Sequence, residues 1–494
     1  MKAGSTRSSI RYHASRSVLL SAICLLSGLA ESRADEDVLR VHEWGTFTSF
    51  QDENGVAFTH INTDDEPVPK FVHRLFYQGE FSSTSVPRHD KEGKGVNLPH
   101  PEVTMRLETP VTYFHLPRSQ PRLTFDLSVE FKSGWLTEFF PQAVTQVNGR
   151  SVRSCMDERL NVETVGRLTW TDIRLGDDGE GPTTLERVWL APRNVRAAQV
   201  TVGTESERFL FYRGVGHRDA PLRIVRQSAN EQLQLRSPLA NSSGFVNGGI
   251  KVSRLWLVEI TADGKCAFRR LPGFAMNGLA DQFLQSTPGT FSDAEFSKQN
   301  LKALRGTMQT TLVEQGLIDD EAAALLNTWE SAYFQSPGLR LFFLLPQSWT
   351  DNILPMKLSV PAQVTRVMVG RIELVTPRHR QLIQKIVQSP LVDLVKVVQS
   401  MWKLQTSESE TDHESFKALA SGRGNSGDLG VPVPENYQAF LDLGRFRTSL
   451  LLSHQQALRK TSNRALDHFL LEIYAPGHGV EAHRREKQQL ENQR

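Results

Sequence analysis

Thirteen of the chain's fourteen histidines lie after residue 34, and six of them fall between residues 42 and 115: His42, His60, His73, His89, His100 and His115. Carboxylates are interleaved with them, including Glu43, Asp64, Asp65, Glu66, Asp90, Glu102 and Glu108. Imidazole and carboxylate together suit Zn²⁺ or another divalent metal, and a bound metal can lower the pKa of a water toward ~7 for hydrolysis. The candidate ligands are His42, Glu43, His60 and His73, with Asp64 or Asp65, and Glu108 or Glu138 is the candidate general base. The plainer reading is a loop-rich stretch of surface histidines, because Pro67, Pro69, Pro87, Pro99 and Pro101 stand among them.

A second feature is Phe209–His217, FLFYRGVGH, in which a strand ending in Arg-Gly-x-Gly-His could carry Arg213 and His217 to a pocket rim. Its glycines permit close backbone approach. The competing reading is a core strand followed by a turn. The aromatic run Trp135–Pro141, WLTEFFP, could stack on sugars, although such residues more often fill a core.

The more specific signatures fail. His42-Glu43 and His413-Glu414 begin like a zincin helix but lack the second histidine four residues on, the spacing that sets two imidazoles on one helical face. There is no G-x-S-x-G elbow and no P-loop. Gly422–Gly427 matches G-x-G-x-x-G by letter, but it follows a helix-like segment and leads to Pro432 and Pro434, a poor context for a dinucleotide. No zinc ribbon or c-type haem fits the cysteine count.

The elements that would position these residues fall into two halves. From Val38 to about Phe274 short alternating runs predict strands: 122–131, 167–173, 186–190, 198–202, 209–212, 222–227 and 252–260. After Thr290 the pattern predicts helices ending near Glu314 and starting near Asp319, strands over 339–345 and 364–375, and an amphipathic helix over 378–403 divided at Pro390. The fold class is therefore α+β: an antiparallel, sandwich-like β-rich region (35–275), then a mixed helical and strand region (276–404) whose strands could complete the first. A flexible loop (405–430) and a helical region with a charged tail (431–494) follow.

The N-terminus predicts export. Lys2, Arg7, Arg11 and Arg16 precede the apolar run Ser17–Ala30, which is too short to span a bilayer, and Ser32-Arg33-Ala34 sets small residues for cleavage before Asp35. Five basic residues and Glu31 lie in this segment, so the net charge of +2 for the whole chain becomes −2 after cleavage. A near-neutral chain gives no electrostatic reason to bind nucleic acid or an anionic membrane. No later apolar run reaches membrane length, so the expected location is the periplasm or the medium. Cys155 and Cys266 would remain there, as one disulfide or as two buried thiols.

VHEWGTFTSF at 41–50 resembles the opening motif of a family of exported bacterial proteins of unassigned function. Further blocks are similar in the same order: LETPVTYF at 107–114, GWLTEFFP at 134–141, 209–216, 325–329, LPQSWTDNIL at 345–354 and RVMVGRIELVTP at 366–377. The resemblance implies one continuous unit over 38–377 and transfers no catalytic residue. The function expected is an envelope or extracellular binding or structural protein, with an envelope polysaccharide or protein as partner. The alternative is a metal-dependent hydrolase built on the N-terminal histidines.

Overall fold

The computed structural model describes residues 38–62, 68–75, 92–93, 96–97, 100–152, 159–239, 249–390, 392–407, 409–420, 422–458, 466–467, 469–470 and 473. Residues 1–34, read above as an export signal, the tail after 473, Asp64, Asp65, His89 and Cys155 lie outside the described residues.

The fold is α+β, organised on one large mixed sheet. Its principal strands, in chain order, are β1 (Leu39–Gln51), β2 (Met105–His115), β3 (Leu123–Lys132), β4 (Gly134–Phe140), β5 (Val165–Leu175), β6 (Val200–Val202), β7 (Glu205–Glu207), β8 (Leu210–Gly216), β9 (Leu255–Ile260), β10 (Cys266–Leu271), β11 (Gly338–Leu345) and β12 (Ala362–Leu374). The order across the sheet is β7-β6-β5-β4-β8-β2-β1-β12-β11-β9-β10, and β3 pairs with β5 off this path. Strands from the second half of the chain thus stand in the middle of a sheet begun by the first half. β1 runs parallel to β12 from Leu39↔Ala362 to Gln51↔Leu374 and antiparallel to β2.

Position in the sheet explains composition. β3 lies toward one side and alternates between core and partly exposed residues. β1 is central and buried along almost its whole length, so both its faces carry bulky side chains. On one face Phe47 packs edge-on against Phe131 and Trp349; on the other, Trp44 joins Val111, Tyr113, Leu325 and Trp329. Burying each such aromatic or aliphatic side chain is worth roughly 1.5–3 kcal/mol.

Helices α2 (Gln299–Glu314) and α3 (Asp319–Thr328), with the π-turn Ser331–Gln335, cover the Trp44 face. Helix α4 (Gln347–Ile353) packs on the Phe47 face through Trp349. Helices α5 (Pro377–Gln388) and α6 (Val395–Thr406) are separated around Pro390, as the pattern predicts. Pro377 sits in the first turn of α5, where its missing N–H costs nothing. Among the described residues no helix is long and apolar enough to cross a membrane.

Two expectations are corrected. The run 186–190, read as a strand, is the start of the short helix α1 (Arg187–Arg193), because Val188, Trp189 and Ala191 bury along one helical side. The segment 405–430, read as a flexible loop, contains the helix α7 (Glu410–Ala420) and a 3₁₀ turn at Ser426–Leu429. Its polar composition concealed the burial of Leu419, and the Arg447 guanidinium donates to the carbonyls of Leu419 and Ala420 that end the helix. Gly422, at φ 77°, follows that end, so the G-x-G-x-x-G string is a helix terminus rather than a strand-to-helix turn.

Candidate metal centre

Side chains of a strand alternate in direction, so His42 and Glu43 point to opposite faces of the sheet. This alternation separates two polar sites that are adjacent in sequence.

On the helical face, β1 and β2 pair His42 with Tyr113 and Arg40 with His115. That register places the His42 and His115 rings side by side, with centroids 4.9 Å apart. Above them the acidic run Asp319-Asp320-Glu321 opens α3, where negative charge is favoured by the exposed N–H groups of the first turn. Glu321 reaches down between the imidazoles. Its Oε2 accepts from His42 Nδ1 at 2.8 Å and from the Ile318 backbone N–H at 3.0 Å, and its Oε1 accepts from His115 Nε2 at 2.8 Å. The Glu321 side chain is fully buried, while 7 % of His42 and 11 % of His115 remain exposed. Burial alone would raise the Glu321 pKa, but the hydrogen bonds from His115 and His42 outweigh it and hold the carboxyl below its ordinary value.

The three ligand atoms lie within 4.8 Å of one another. Donors bound to one Zn²⁺ at ~2.0–2.1 Å stand roughly 3.4 Å apart in tetrahedral geometry, so small side-chain rotations would close the set around an ion. The same nitrogens that now bond Glu321, His42 Nδ1 and His115 Nε2, are the ones that would ligate a metal. Asp320 anchors the same helix end, accepting from Arg196 N at 3.2 Å and Arg196 Nε at 3.1 Å.

On the opposite face, Glu43 is completely buried and committed to other groups. Arg366, its neighbour on β12, donates through Nε at 2.7 Å, Thr112 donates at 3.2 Å, and the Tyr212 hydroxyl makes a short hydrogen bond to Oε1. Burial, and next the Glu43 charge, push the Tyr212 phenol well above its ordinary pKa. Glu43 is therefore part of an internal ion pair and not of the histidine cluster.

The other expected ligands are distributed elsewhere. His73 pairs with Glu205 at 2.8 Å and stacks on Phe139 and Phe140, in the wall of a shallow cleft with Asp172 and Arg174. His60 has a left-handed backbone (φ 58°) and its Nδ1 bonds the Thr59 hydroxyl at 2.7 Å. Burial, then repulsion from His100, lowers the His60 pKa, with Glu102 acting the other way. His217 meets the Glu102 carbonyl through Nδ1 at 2.7 Å, so His60, His100, Glu102 and His217 form a separate polar group.

Glu108 and Glu138 are held by arginines. Glu108 accepts from Thr48 at 3.1 Å and lies 3.3 Å from Arg106 and 3.6 Å from Arg371, while Glu138 lies 3.2 Å from Arg74 and 3.5 Å from Arg213. Arg213 is buried under the sheet's helical side rather than standing on a rim. Trp135, Phe139 and Phe140 are core residues and offer no open ring to a sugar.

The sequence reading thus contained His42 as a ligand and named His115 among the clustered histidines, but had no signal for Glu321, 206 residues beyond His115. The acidic first turn of α3 was legible; its docking over β1 and β2 was not.

No family model matches the chain, and no curated protein matches it. Among solved structures, the Mu homology domain of Fcho1 from Danio rerio, solved with a bound Eps15 peptide, is similar over 69 % of this chain and 97 % of that chain. The identity is 8 % and the TM-score 0.25, a likeness that carries no argument.

Proposed function

We propose that this chain is exported, loses residues 1–34, and acts outside the cytoplasm as a binding protein with a divalent transition metal held by His42, His115 and Glu321. The observation that supports this reading is the convergence of two imidazoles and a carboxylate from β1, β2 and α3 on one buried point. A neutral imidazole pair with one carboxylate suits Zn²⁺ among the common ions. The ion would tie α3 to the sheet, so its role includes fixing the helical layer over Trp44.

A second reading, metal-dependent hydrolysis, is favoured by the ligand count. Three protein ligands leave a coordination position for water, the arrangement found in hydrolytic zinc sites. Glu108 and Glu138 would not serve as base, since arginines hold both.

The test is the metal content of residues 35–494, purified without chelator or affinity histidines. One equivalent of metal in the wild type, lost in His115→Ala and Glu321→Gln, supports the site; no uptake of any divalent ion refutes it. Cobalt(II) substitution provides an independent readout, because visible ligand-field bands require direct coordination. Ester, phosphoester and peptide hydrolysis by the loaded protein then separates the two readings.

A further inference from the structure

Away from the metal centre, the ends of β9, β11 and β12 meet the start of α5 and the turn that follows the helix α8 (Glu435–Asp442) around a cavity of about 310 Å³. That is the lower end of the ~300–1,000 Å³ range of small-molecule sites. Its wall combines apolar side chains, among them Ile260, Leu339 and Phe446, with charged groups of both signs. Arg226, Arg378 and Arg445 face it, and so do Glu259, Glu373 and Asp442.

These groups differ in how fully they are engaged. Arg226 is 7 % exposed and donates through Nη1 to Glu231, but its buried Nε has no hydrogen-bond partner. Glu373 is 2 % exposed and lies among arginines, its Oε2 3.3 Å from Arg340 Nε and its Oε1 3.4 Å from Arg371 Nε and 4.0 Å from Arg445 Nη1. A buried N–H with no protein acceptor is a donor that a bound hydroxyl can use. Glu259 projects into the same space, where burial raises its pKa against the pull of Arg226 and Arg269. His379 accepts the Thr376 N–H at Nδ1, 3.0 Å away, and burial lowers its pKa to about 4, so its Nε2 carries a proton.

We infer that this cavity binds a small uncharged polyhydroxylated ligand, of the size of one or two sugar rings. Three cations and three anions cancel, so the site does not select a net charge. Guanidinium and imidazole N–H groups line it together with carboxylates, and a hydroxyl is the group that accepts from the first and donates to the second. A carboxylate or ammonium ligand would meet a like charge on one side whichever way it entered. This site is independent of the metal reading.

The test is calorimetric titration of residues 35–494 with neutral mono- and disaccharides (glucose, galactose, N-acetylglucosamine, maltose, cellobiose), with citrate and glutamate as charged comparators. The expected result is saturable millimolar or tighter binding of at least one sugar. Glu259→Gln, which keeps the shape and the fold, should weaken that binding about tenfold. Ala262→Trp, on the cavity wall, should abolish it while leaving the circular dichroism unchanged. Absence of binding by every neutral sugar overturns the inference. So does tighter binding of citrate or glutamate, or full affinity in a folded Ala262→Trp protein.

Discussion

Glu43 and Arg366 stand opposite each other on the parallel strands β1 and β12, with Arg366 Nε donating to Glu43 Oε2 at 2.7 Å although 323 positions separate them in the chain. The arginine is further held by Asp351 at 3.1 Å and the Leu354 carbonyl at 2.5 Å, so one guanidinium joins β1, β12 and the end of α4. Both side chains are essentially unexposed. A buried pair of this kind adds little net stability, yet removing one partner leaves an uncompensated charge.

Arg366→Ala should therefore cost about 3–5 kcal/mol in urea unfolding. The double replacement Glu43→Leu with Arg366→Met should cost clearly less than the two single changes added together. Additive losses would show that the pair is not coupled as the geometry requires.

At the metal centre, zinc at a hundredfold excess over its Kd should stabilise the wild type by about 2.7 kcal/mol. The melting temperature of His42→Ala should not respond to zinc. Because metal binding displaces protons from its ligands, zinc affinity should fall as the pH is lowered. In the metal-free protein the depressed Glu321 pKa gives stability present above the ordinary carboxylate range and lost as pH falls through the lower, folded value. Metal-free unfolding measured from pH 7 to pH 3 checks the second statement.

His379 makes a separate contribution. Burial, reinforced by Arg378 and Arg380, lowers its pKa from about 6.5 to about 4, so the unfolded chain binds its proton more readily. Its contribution is fully present above pH 6.5 and is lost as the pH falls toward 4, by no more than roughly 3 kcal/mol. His379→Gln, compared with wild type at pH 7 and pH 5, should flatten the loss; an unchanged pH slope would count against it.

Gly214, within the Arg-Gly-x-Gly-His run, is required by close approach. A Cβ at this position would stand 2.3 Å from the Trp135 carbonyl oxygen on β4, and a backbone atom cannot rotate away. Gly214→Ala should destabilise by about 3 kcal/mol or more, read as a lower urea midpoint.

Cys266 is buried and free, and burial pushes its thiol up to about 11. In residues 35–494 carrying Cys155→Ser, no thiol should react rapidly with Ellman's reagent in the native state, and one should react in urea. Rapid native labelling would place Cys266 nearer the surface than the fold does.

By itself the sequence determined what depends on local patterns. The α+β class, the alternating strand β3, the division of a helix at Pro390 and the acidic first turn of α3 were all legible, because period, proline and charge act over a few residues. α7 was missed for a related reason: among its described side chains only Leu419 is well buried, a weak period beside a polar composition, and its end is completed by Arg447 from outside the segment. The candidate site was legible only in part. Clustered histidines named His42, but proximity along the chain also suggested Glu43, which pleating turns to the other face and Arg366 neutralises. Glu321 entered only through tertiary structure, since it depends on the register of β1 with β2 and on a helix docked from the other half of the chain. The cavity between β9, β11, β12, α5 and α8 is likewise a product of topology. Its charges come from segments that nothing in their local sequence marks as neighbours, and only the packing that buries them makes them a site.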